Sequence, residues 1–93
     1  MLKNRAGTAL GWDKTAEEHL FMILEQIPAL IRGIAETRVT KKAEAMAIAG
    51  GRQEISHKDM VDAFFAETPP AFVPAMKQSM IDLEIDYGKY GHK

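Results

Sequence analysis

The sequence predicts a small all-α domain, a bundle of about four helices around a long central one. Three observations lead there. Apolar residues recur at spacings of 3 and 4 through most of the chain, the period of one helical face. No stretch alternates apolar and polar residues over several positions with β-branched enrichment, so no strand is expected. Proline, glycine and N-cap residues fall between the periodic stretches and divide them.

Residues 1–11 contain Gly7 and Gly11 and no sustained period. They are expected to form a flexible arm. Trp12 stands before the first helix start. Thr15 and Glu18 fit a capping box, in which hydroxyl and carboxylate each bond a free backbone N–H, and Asp13 offers an alternative cap. Ala16, Leu20, Ile23, Leu24 and Ile27 make the first apolar face, on which Trp12 could fold back.

Pro28 lacks an N–H and interrupts this helix, yet suits the opening of the next. The central helix is expected to run to about Ala49, with Leu30, Ile31, Ile34, Ala35, Val39, Ala43, Met46 and Ala47 as its stripe. Gly33 sits inside it at a cost of ~1 kcal/mol relative to Ala, which close approach of another helix would explain. Gly50-Gly51 is a strong stop, because glycine takes the left-handed cap conformation cheaply.

Ser56 and Asp59 form a second capping signature, followed by the face Met60, Val61, Phe64 and Phe65. Thr68-Pro69-Pro70 ends that helix. The next begins either with Thr68 as its cap or near Phe72, and shows Phe72, Met76, Met80, Leu83 and Tyr87 on one side. The organisation expected is therefore an arm (1–11), a helical unit (12–66), an additional C-terminal helix (67–87) and a frayed tail (88–93).

Composition narrows the function classes. The chain has 93 residues, 12 Lys+Arg against 13 Asp+Glu, and no cysteine. A domain this small buries only roughly 60–65% of its unfolded surface, which leaves little room for a deep substrate cavity. Without cysteine there are no disulfides, no Cys-ligated zinc and no Cys-ligated iron–sulfur cluster. Near-zero net charge disfavours a phosphate-driven nucleic-acid binder. No apolar run approaches the ~20 residues of a membrane span. The basic start, Met1 to Arg5, is too short for a signal peptide, so a cytoplasmic protein is expected.

No catalytic constellation emerges. Gly50-Gly51-Arg52 lacks the Lys-Ser/Thr of a phosphate loop, and no Ser comes with an evident His/Asp set. His19, His57 and His92 are not at metal-ligand spacing, so neither a metal nor another cofactor is expected. Asp82, Glu84 and Asp86 spread around a helix rather than pairing. The central helix does carry a basic strip. Arg32, Arg38, Lys41 and Lys42, with Glu44, are candidates for contact with a partner or an anion, or else a solvated face. His57, in the first turn after the Ser56 cap, joins them because histidine titrates near neutrality. Four methionines, Met46, Met60, Met76 and Met80, fall on apolar stripes and fill an adaptable core. The sharper alternative is an exposed patch, with Trp12, Met60, Phe64, Phe72 and Met76 as its candidates.

One ordered set of residues resembles a known family. Trp12, Ala16, Leu20, Ile27-Pro28, Arg32, Arg38 to Ala47, Gly50, Ile55-Ser56, Met60 and Ala63 look like the helical C-terminal domain of the B subunit of light-independent protochlorophyllide reductase. The likeness covers about residues 12–66. It departs from the family by roughly one extra helical turn between Pro28 and Val39. Ala29-Leu30 also stands where an aromatic pair is usual, and no counterpart exists from Thr68 onward. The nitrogenase-like catalytic body is missing. The resemblance implies a non-enzymatic accessory module that docks on a redox or tetrapyrrole-related partner. It makes Arg32, Arg38, Lys42, Glu44 and His57 a contact surface rather than a catalytic one.

A weaker likeness also exists. The run from Gly50 through Ser56 to Phe64 is similar to the second half of an archaeal histone fold, which implies a homodimer or a dimeric nucleic-acid- or protein-binding module. A third reading, a small binder of a flat apolar ligand, follows from the Met/Phe richness and the tetrapyrrole association.

Overall fold

The computed structural model describes residues 10–93, and residues 1–9 of the expected arm lie outside the described residues. The domain is all-α. Its helices are α1 (Lys14–Leu24), α2 (Ala29–Ala49), α3 (His57–Glu67) and α4 (Val73–Asp82). Two short strands correct the expectation that none would form: β1 (Gly11–Trp12) pairs in parallel with β2 (Glu54–Ile55). A two-residue ladder is too short to show any alternation, so periodicity could not have found it.

Local chemistry sets each boundary. Asp13, not the Thr15–Glu18 box, caps α1, its carboxylate accepting the Ala16 N–H at 2.9 Å. The Asp13 N–H is also engaged, donating to the Ile55 carbonyl at 2.9 Å, so the ladder fixes where the helix begins. Pro28 caps α2 without a side-chain bond. At the far end Gly51 takes a φ of +73°, the left-handed conformation that ends a helix at no steric cost. The Arg52 guanidinium lies so close over Gly50 that a Cβ there would collide with it.

The Ser56–Asp59 capping box forms in both directions: Ser56 accepts the Asp59 N–H, and Asp59 accepts the Ser56 N–H. Asp59 also accepts from Arg52, which ties the glycine turn to the start of α3. A 3-10 turn (Pro70–Phe72) then leads into α4, whose first turn holds Pro74, so the later of the two expected starts is the one used.

The core lies where α1, α2, α3 and α4 meet. Leu20, Ile23, Leu24, Val39, Ile55, Met60, Val61, Phe64 and Met80 are buried in it. α4 ends at Asp82 rather than near Tyr87. Glu84 follows with a φ of +59°, and Ile85 turns inward.

The C-terminal end corrects the expected frayed tail. Tyr87–Tyr90 forms a 3-10 turn, and His92 bonds Asp62 at 2.6 Å while stacking on Phe65 with ring centroids 3.9 Å apart. These contacts hold the end of the chain against α3. No described helix is long and apolar enough to cross a membrane.

Candidate functional site

The apolar stripe expected on α2 is buried only over its second half, at Val39, Ala43 and Ala47. Its first half stands clear of the core. Leu30 is 92% exposed, Ile34 61% and Ile31 44%. Large apolar side chains in such a cluster cost solvation free energy unless something covers them.

Beside these residues lies a groove of about 510 Å³. Its α2 wall is formed by Ile31, Ile34 and Ala35, and its opposite wall by Pro69, Phe72 and Met76. Phe64 reaches it from below, while Arg38 and Glu67 are its charged residues. Neither takes part in an ion pair among the described residues. Polar groups also occupy the groove: Ser79 donates to the Gln26 side-chain oxygen at 2.6 Å, and the Thr68 hydroxyl donates to Met76 Sδ at 3.2 Å.

The five candidates for an apolar patch divide. Phe72, 59% exposed, is a surface residue of the groove. Trp12, Met60, Phe64 and Met76 are buried, which corrects their assignment to an exposed patch, although Phe64 and Met76 reach the groove from inside. The surface residues that sequence reasoning missed are Leu30, Ile31 and Ile34. Their helical spacing reads the same whether the covered face meets this chain or another molecule.

The basic strip divides as well. Arg32 is structural. Its guanidinium donates to the carbonyls of Leu24 (2.8 Å), Glu25 (3.2 Å) and Ile27 (2.9 Å), closing the turn between α1 and α2. This satisfies carbonyls that the end of α1 leaves without helical partners. Arg38, Lys41 and Lys42 are exposed, and Glu44 is half-buried.

His57 belongs to a second, smaller site. Its Nε2 lies 2.9 Å from His19 Nδ1, and its Nδ1 lies 2.8 Å from the Tyr90 hydroxyl. The three side chains form a hydrogen-bonded relay joining α1, α3 and the C-terminal turn. Burial pushes the His57 pKa below its ordinary value, and the nearby His19 and Lys89 push the same way; Asp13 opposes them. An uncharged His57 suits the relay, since an N–H···N bond needs one protonated and one free nitrogen. His19 was invisible as a partner, because 38 positions separate it from His57.

Sequence reasoning also missed Glu17. Its carboxylate is buried in the first turn of α1, and one oxygen has no hydrogen-bond partner among the described residues. Among the described residues, no three His, Asp or Glu side chains cluster as metal ligands.

Over the described residues these features define a domain of four α-helices with a long central helix, an apolar groove and a histidine relay. The chain matches, over residues 5–93, the family described as "Protein of unknown function (DUF2621)", and it belongs to that family. No curated protein and no solved structure matches it.

Proposed function

We propose that this chain is a non-enzymatic docking module whose groove receives an apolar helix of a partner protein. The observation that carries this reading is the apolar surface running from Ile31 and Ile34 on α2 across to Phe72. Helix-in-groove recognition uses apolar anchors one turn apart against such a channel. An apolar centre with a polar rim is also the usual make-up of a protein interface. Glu67 on the rim selects for a partner helix with a Lys or Arg beside its apolar face. The resemblance to the protochlorophyllide reductase accessory domain supports the same reading and points to a nitrogenase-like redox partner.

Affinity capture from the native host tests it, with wild-type chain and the Phe72→Glu and Ile31→Glu variants side by side. The expected result is a redox component held by wild type and lost from both variants. Recovery of the same component by the variants, or of none by wild type, overturns the proposal.

A second reading rests on the groove volume. About 510 Å³ lies within the range of small-molecule sites, so a flat apolar ligand such as a tetrapyrrole is the alternative occupant. Absorbance titration with a porphyrin decides this, and an unshifted Soret band dismisses it.

A further inference from the structure

Among the described residues nothing calls for a glycine at position 33. It lies in the interior of α2, where glycine is among the costliest helix residues. Among the described residues a Cβ built on it meets nothing within 4 Å, so no described element needs the space. The helix approach that would explain it does not exist within the described residues.

The surface around Gly33 has a particular shape. Leu30 projects one turn before it, exposed over 92% of its surface. Leu30, Gly33, Ile34, Thr37 and Arg38 line a shallow depression. A knob and a hollow therefore sit one turn apart on the same helix face. A two-fold contact requires a surface complementary to itself, for which a knob and a hollow on one face are suited.

We propose that the outer face of α2 is an interface between two copies of this chain, with the two α2 helices crossing antiparallel about Gly33. Each Leu30 seats in the hollow beside the Gly33 of the other copy, and the missing Cβ lets the backbones approach. Charge agrees with this arrangement. Arg38 lies five positions after Gly33 and Pro28 five before it. Antiparallel crossing thus brings each Arg38 to the other copy's Pro28 end, where Glu25 is exposed. Glu25 forms no ion pair among the described residues, and neither does Arg38. The groove shares Ile34 and Arg38 with this face, while its far wall of Pro69, Phe72 and Met76 lies outside it.

Sedimentation equilibrium over a concentration series, together with thermal unfolding, tests the proposal on the full chain. Wild type is expected to be dimeric at micromolar concentration. Gly33→Ala and Leu30→Lys are each expected to weaken the dimer at least tenfold. Under dilute, monomeric conditions Gly33→Ala should unfold at a higher temperature than wild type, because alanine is the better helix former. Phe72→Ala should leave the dimer intact. A wild-type chain that stays monomeric at hundreds of micromolar overturns the proposal. So does a dimer indifferent to Gly33→Ala and Leu30→Lys, or one that Phe72→Ala alone dissolves. That last result would place self-association in the groove.

Discussion

His19 Nδ1 and His57 Nε2 face each other at 2.9 Å, and the bond between them holds while one of the two facing nitrogens carries a proton and the other is free. The folded state lowers the His57 pKa from the ordinary 6.5, through burial first and then the charges of His19 and Lys89. The unfolded chain therefore binds a proton at His57 more readily than the folded one. The His57 contribution is fully retained above pH 6.5 and is lost as pH falls from there through the lower folded-state value. Urea unfolding at pH 7.5 and at pH 5.0 should show a smaller stability at the lower pH. His57→Gln should reduce that difference, and an unchanged pH dependence in the variant would remove His57 as its source.

The α3 capping box gives a graded pair of mutations. Ser56→Ala removes one cap bond and should cost about 1 kcal/mol. Asp59→Ala should cost more, about 2–3 kcal/mol, because it leaves the Ser56 N–H unpaired and Arg52 without its carboxylate. For a domain of this size each kcal/mol lowers the melting temperature by roughly 4–8 °C, so calorimetry resolves the order.

Phe64 and Phe72 separate core from surface. Phe64→Ala opens a cavity beneath the groove and should destabilise by about 3–5 kcal/mol. Phe72→Ala should change stability by no more than about 0.5 kcal/mol, since that ring is mostly in solvent. Equal losses at the two positions, measured by urea denaturation, would contradict the burial described.

Arg32 holds the turn between α1 and α2 through a planar fork of donors. Arg32→Ala should cost roughly 1–3 kcal/mol, the usual range for hydrogen bonds from a charged group. Arg32→Lys should recover little of it, because a single ammonium cannot reproduce the spread of the guanidinium. Full rescue by lysine in a chemical unfolding series would reduce the role of Arg32 to its charge.

What the sequence made legible was local. Pro28, Gly50-Gly51 and the Ser56–Asp59 box each act within one turn, and each ends or starts a helix as expected. The length of α2 followed from them. What stayed hidden was relational. His19 and His57, Asp62 and His92, and Trp12 and Ile55 are brought together only by the completed fold. The exposure of Leu30 and Ile34 was hidden for another reason. An apolar stripe shows that a face avoids water without showing which molecule covers it. The tail misled because glycines near a terminus resemble fraying, while single side chains, Tyr90 and His92, anchor it.

The parallel pairing of β1 with β2 has a kinetic consequence. It joins the residues just before α1 to those just before α3, with two whole helices between them. Two residues of ladder cannot offset the entropy of closing so long a loop, so this clasp is expected to shut only after α2 and α3 have packed. Loss of this pairing is then expected to be felt chiefly as faster unfolding, with the folding rate little altered. The clasp is thus expected to act on how long the native fold persists rather than on how fast it forms.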